Sequence, residues 1–249
     1  MDGPTVALIL ASGAATGLGG LALLALRRPS HLGLDAALGF TAGVMLGATV
    51  FSLLVPALDR GRLGEVLAGF LVGAGFIALL DRLVPHAHAR FAERGHLPAE
   101  AERAHRAALL LTAMTIHNIP EGAAVGLAFA AGGADLGVPL ALAIGIQNVP
   151  EGFAAAAPLI PAGVRRLTAI GIAALTGLVE PPAALLAYFG FELFEALLPA
   201  GLGFAAGAML YVVVDELVPE SQARGNERVA TAALVAGFSL LLVLDNAFA

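Results

Sequence analysis

The sequence predicts an all-α integral membrane protein of eight transmembrane helices, with spans 1–3 and 6–8 forming an inverted repeat around a symmetric pair, spans 4 and 5. Three observations lead there. Hydrophobic residues make up 59% of the 249-residue chain and charged residues 13%, about half the charged share usual in soluble domains, and mean hydropathy is +0.88. Apolar stretches long enough to cross about 30 Å of hydrocarbon recur from end to end. Two motifs occur twice, each time in segments expected to run in opposite directions. The strict alternation of a membrane barrel is missing, and the composition excludes a disordered chain and a nucleic-acid binder.

The spans are read in order. Span 1 (5–26) follows Met1-Asp2-Gly3-Pro4, which has no basic stretch to read as a cleaved signal. Span 2 (35–58) runs through Gly39–Leu46 to Leu54-Val55-Pro56, and span 3 (64–84) stops before Pro85. A polar cytoplasmic loop, 85–105, holds His86, His88, His96 and His105, whose spacing matches no closed zinc site. Spans 4 (106–130) and 5 (138–160) carry the polar motifs, span 6 (166–189) contains Glu180-Pro181-Pro182, and spans 7 (200–220) and 8 (228–248) complete the chain. Residues 1–84, 85–105, 106–160 and 161–249 are thus parts of a single transmembrane domain. Glycine (31 residues) is frequent inside the spans, and small residues let bare helices approach closely in lipid. With the N-terminus outside, all arginines except Arg60 and Arg62 fall on inward-facing connections. That is a strong positive-inside bias, and it places both termini outside.

The basic residues are all arginine. Without lysine, P-loop ATP hydrolysis and pyridoxal chemistry are excluded. Without cysteine, thiolate metal sites are excluded too.

The first repeated motif is His117-Asn118-Ile119-Pro120-Glu121-Gly122 against Gln147-Asn148-Val149-Pro150-Glu151-Gly152. The second is Gly39–Leu46 against Gly203–Leu210, each followed by Leu-Val-Pro at a spacing that differs by one residue. Inverted repeats mark secondary transporters, whose sites lie near the midplane at interrupted helices. Glu121, Glu151 and Glu180 lie deep in spans 4, 5 and 6, where a charge costs roughly 2.5–3.5 kcal/mol on insertion scales, and no arginine lies at their depth. Protons or a bound cation must neutralise them. His117 and Glu121 share a helical face at i, i+4, as Asn118 with Glu121 and Asn148 with Glu151 do at i, i+3. Pro120 and Pro150 each remove an N–H and crowd the carbonyl four residues back, and Pro181 offers a third kink. Imidazole, carboxylate and amide donors without thiolate suit zinc, iron(II), manganese, cobalt or cadmium. His117 argues against calcium or magnesium. A proton relay and a satisfied polar core are the other readings of these residues.

On His117–Gly122, Gln147–Gly152, Glu180 with its prolines, and the Met45 and Met209 segments, the whole chain resembles the ZIP (Zrt/Irt-like) divalent-metal transporters, in their bacterial GufA-like branch. The resemblance implies inward transport of a divalent ion, zinc before iron(II), manganese or cadmium, as substrate and with no cofactor. It implies a homodimer in the lipid of a bacterial inner membrane, with spans 1, 4, 5 and 6 moving against 2, 3, 7 and 8. By position, it gives His117, Glu121, Glu151 and Met45 to a first metal, and Asn118, Glu121, Glu151, Glu180 and Asn148 to a second, Glu121 and Glu151 bridging. Asn148 stands where some relatives carry Asp.

Further pathway residues are expected at Gln147, at Ser52 toward the entrance, and at Asp81, His86, Asp215 and Glu216 toward the exit. An intramembrane metalloprotease needs His-Glu-x-x-His, which the chain lacks. A proton-coupled solute carrier, its carboxylates relaying protons, is the remaining alternative.

Overall fold

The computed structural model describes residues 1–25, 30–83, 99–193 and 195–248, and among them every regular element is a helix. Helix α1 is Gly3–Ala25. Helix α2 spans His31–Arg60, α-helical over His31–Gly47, π-helical over Ala48–Leu54 and α-helical again over Val55–Arg60. Ser30 caps it by accepting from the Gly33 N–H, satisfying one of the donors that a helix start leaves open. Helix α3 is Leu63–Leu83.

A helical run then covers Ala99–Ala156, with non-helical angles at Gly132 and Gly133. Gly133 has φ 58°, in the left-handed region that favours glycine. The chain reverses there. Gln147 hydrogen-bonds Glu121 at 2.5 Å, whereas an unbroken helix would hold residues 26 apart at about 39 Å. The two arms, 99–131 and 134–156, are α4 and α5. Helix α4 begins at Ala99, inside the stretch expected to be loop. Pro120 and Pro150 do not interrupt their helices, since Gly132 and Gly133 are the residues that depart from helical angles in the run.

The stretch expected to be span 6 is broken. Helix α6 (Arg166–Gly177) ends in a turn at Leu178 and Val179, and α7 (Glu180–Leu193) begins at the buried Glu180. Pro181 and Pro182 fall in the first turn of α7, where a missing N–H costs no helical bond. Helix α8 covers 198–222 with a π-helical stretch at Val213–Leu217, and α9 is Glu227–Phe248. Seven helical stretches among the described residues are long and apolar enough to cross a membrane, the α4–α5 hairpin counting as one.

Glycines set the packing. A methyl group at Gly19 would lie 1.8 Å from the Val149 carbonyl oxygen, and one at Gly152 equally close to that of Thr16, so α1 and α5 touch backbone to backbone. Gly13 meets Gly177 on α6, while Gly122 and Gly126 meet Glu180 and Ala184 on α7. Separately, Gly39 and Gly43 of α2 press on Ala230 and Leu234 of α9, and Gly69 and Gly73 of α3 on Ala200 and Phe204 of α8. These contacts join α1 with α4–α7, α2 with α9, and α3 with α8. The outward faces of α3 and α9 stay apolar and exposed, through Leu67, Leu71 and Val72 on one and Val235 and Val243 on the other.

Candidate metal centre

Two adjoining residues of α5 organise the centre. Gln147 Nε2 donates to Glu121 Oε2 at 2.5 Å and to Asn148 Oδ1 at 2.8 Å. Asn148 Nδ2 donates to both oxygens of Glu180, at 2.8 and 3.0 Å, and to the Ser12 carbonyl at 2.8 Å. One amide pair thereby ties α4, α5, α7 and α1. Asn118 Nδ2 donates to the Thr176 carbonyl at 2.8 Å, next to the break between α6 and α7. Thr41 of α2 donates to the Gln147 carbonyl at 3.3 Å.

The carboxylates are deeply buried, Glu121 and Glu180 at 1% exposure and Glu151 at 3%. The ion pairs among the described residues bring no arginine to them. Three buried oxygens here have no hydrogen-bond partner, namely Asn118 Oδ1, Gln147 Oε1 and Glu151 Oε2. An unsatisfied buried acceptor costs about 1–3 kcal/mol, and more when charged. The amides cannot relieve this by rotating. A flipped Asn118 would set its oxygen against the Thr176 carbonyl, and a flipped Gln147 would set its oxygen against Glu121 and the Asn148 Oδ1. Their free lone pairs beside unpaired carboxylates suit a hard or borderline cation. Among the described residues His117 is the one buried histidine, 5% exposed, and it lies four residues before Glu121 on α4.

His117 points to the other group of helices, and its Nε2 lies 2.8 Å from Glu216 Oε1 on α8. Glu216 belongs to a second cluster. Asp81, Asp215 and Glu216 place ligand oxygens within 4.8 Å of one another. The structure thus brings Asp81, from the end of α3, to the π-helical stretch of α8. Met45 is buried on α2, one turn beyond Thr41. Ser52 is buried in the π-helical stretch of α2, its Oγ without a hydrogen-bond partner. His86, His88 and His96 lie outside the described residues, as does the side chain of His105.

Sequence reasoning missed Ser12, Thr41 and Thr176, which act through backbone carbonyls or a hydroxyl. Thr41 alone had a readable signal, because it replaces Ala205 of the otherwise similar Gly-Phe-x-Ala-Gly repeat. Asp35 was missed as well. It is fully buried and accepts from Arg224 at 3.0 Å and from Asn226 at 2.9 Å, with Glu220 also paired to Arg224.

A family model described as ZIP Zinc transporter matches residues 83–245. The chain is 43% identical over 245 residues to zinc transporter GufA of Myxococcus xanthus, covering 95% of each chain. It is 41% identical over 250 residues to zinc transporter ZIPB of Bordetella bronchiseptica, covering 94% of this chain and 78% of the relative. It is 37% identical over 259 residues to zinc transporter ZupT of Corynebacterium glutamicum, covering 95% of each.

Proposed function

The chain belongs to the ZIP zinc-transporter family, and from that premise we propose that it carries a divalent metal ion into the cytoplasm through an intramembrane site built on Glu121, Glu151 and His117, with zinc as its principal substrate. It is a membrane transporter and not an enzyme, and zinc is its cargo. The observation that carries the site is the set of unpartnered oxygens, Asn118 Oδ1, Gln147 Oε1 and Glu151 Oε2, next to carboxylates that no arginine pairs with among the described residues. A dehydrated cation supplies what these groups lack. Met45, Asn118, Asn148 and Glu180 complete the wall of the site by the family's pattern. Iron(II), manganese and cadmium are further substrates that the same donors accept.

In this reading the α4–α5 hairpin is two spans, which gives eight crossings with both termini outside, in a bacterial inner membrane. The spans of α1 and α4–α7 move as one elevator body against α2, α3, α8 and α9. The support is the packing, for among the described residues the glycines that meet another helix's backbone do so within these groups, while Gly201 of α8 meets the Phe191 ring of α7 across them. Ser52 stands toward the entrance, while Asp81, Asp215, Glu216 and His86 stand toward the exit. The chain works as a homodimer in lipid, which covers the apolar faces of α3 and α9.

The test is zinc uptake into proteoliposomes. Glu151→Ala and His117→Ala abolish or strongly reduce uptake while the purified proteins keep their helical content. Unchanged flux in both refutes the site.

A further inference from the structure

We infer that Asn148 takes the place of a second cation, so that the intramembrane centre of this chain holds a single transported ion. The inference rests on the metal-site reading above and fixes its stoichiometry. A binuclear centre needs lone pairs from residue 148 and from Glu180 directed at one point. In this chain residue 148 presents hydrogens there. Its Nδ2 faces both Glu180 oxygens, at 2.8 and 3.0 Å, and an amide N–H has no lone pair for a metal.

The orientation of that amide is locked from both ends. Its Nδ2 also meets the Ser12 carbonyl at 2.8 Å, and its Oδ1 receives Gln147 Nε2 at 2.8 Å. Turning the amide over would set its oxygen against the Ser12 carbonyl, two acceptors in contact. It would also set its nitrogen against the Gln147 nitrogen, two donors in contact. Gln147 cannot turn with it, because its other N–H is bound to Glu121. Asn148, fully buried, therefore presents a fixed neutral donor to Glu180, occupying the carboxylate lone pairs that a second cation would need. The oxygens of the centre left without a hydrogen-bond partner are those of Glu151, Gln147 and Asn118, not those of Glu180 or Asn148.

An Asp at 148 reverses this. It has the same shape, carries no N–H, and adds a fourth buried carboxylate facing Glu180 and the Ser12 carbonyl, an arrangement that calls for a second cation.

The experiment counts zinc bound per chain in the purified full-length protein by elemental analysis. Each count is taken relative to the same protein carrying Glu151→Ala, so that ions on the inner histidines and on the Asp81–Asp215–Glu216 cluster cancel. The expected difference is one ion for the parent and two for Asn148→Asp. X-ray absorption at the zinc edge gives a second readout that needs no variant at 148, and the parent shows no zinc–zinc scattering at about 3.5–4 Å, the separation of two-metal centres. A parent difference of two, or a zinc–zinc distance in the parent, overturns the inference while uptake still depends on Glu151. An Asn148→Asp protein that folds and stays at one overturns the role given to Asn148. A parent difference of zero with uptake indifferent to Glu151→Ala overturns the site reading, and the inference with it.

Discussion

Residues buried in this chain act through the end of the side chain they present, and Asp35 shows the cost of losing a partner. It is fully buried near the start of α2 and is held by Arg224 and Asn226 from beyond the π-helical part of α8. Removing one member of a buried ion pair leaves the other charge uncompensated and costs about 3–5 kcal/mol, whereas replacing both by apolar groups is often close to neutral. Arg224→Leu is therefore expected to destabilise the protein by about 3 kcal/mol, and Asp35→Leu combined with Arg224→Leu to recover most of that loss. Thermal unfolding of the detergent-purified variants reads this directly, and a double variant weaker than the single one contradicts it. The same principle limits what sequence reveals at this scale. Glu121, Glu151 and Glu180 stood out because acids are rare in apolar spans. The carbonyls of Ser12 and Thr176 carry no such mark, since every residue has one. The pairing of Asp35 with Arg224 joins positions 189 apart and needed the fold to be seen.

Elements are set by close approach and by interruption. Gly43 lies against α9 so closely that a methyl group would meet the Leu234 carbonyl oxygen at 1.9 Å, while a methyl group at Gly171 would touch nothing within 4 Å. Gly43→Ala must push the α2 and α9 backbones apart, a change expected to cost about 1–3 kcal/mol. Gly171→Ala adds a better helix former at an open position and should leave the unfolding temperature unchanged or raise it. Equal melting temperatures for the two would remove the argument that glycine sets this contact. Much of this level was legible. The Gly132-Gly133 reversal fell between two apolar runs, and the Glu180-Pro181-Pro182 cluster marked the break before α7. Helix passage through Pro120 and Pro150 was not legible, because neighbouring helices and side chains can satisfy the backbone groups a proline releases. The π-helical stretches left one trace in the sequence, the one-residue difference in spacing to Leu-Val-Pro. The stretch in α2 has 7 residues and that in α8 has 5, and π-bulges are common at functional positions.

Across the whole molecule, the proposed metal centre sits against the boundary between two groups of helices, and two hydrogen bonds seen among the described residues cross it. Thr41 reaches the Gln147 carbonyl, and His117 reaches Glu216. The second bears on transport, since the imidazole that the proposed site needs is held by a carboxylate on the opposite group. A metal bound through Nε2 must take that nitrogen from Glu216, so ion binding and this cross-boundary contact exclude each other. In the proposed cycle, binding weakens the link between the groups as the cargo is loaded, and release restores it. A hydrogen bond to a charged group contributes about 1.5–3 kcal/mol, and each 1.4 kcal/mol is a factor of ten in affinity. Glu216→Ala is therefore expected to tighten zinc binding at the intramembrane site by roughly tenfold or more, read as the fall in Kd that Glu151→Ala abolishes. Uptake should slow in the same variant, because the contact that competes for His117 during release is gone. A weaker Kd in Glu216→Ala would make Glu216 a ligand of the loaded ion instead of its competitor, and an unchanged Kd would mean that His117 binds the ion without leaving Glu216.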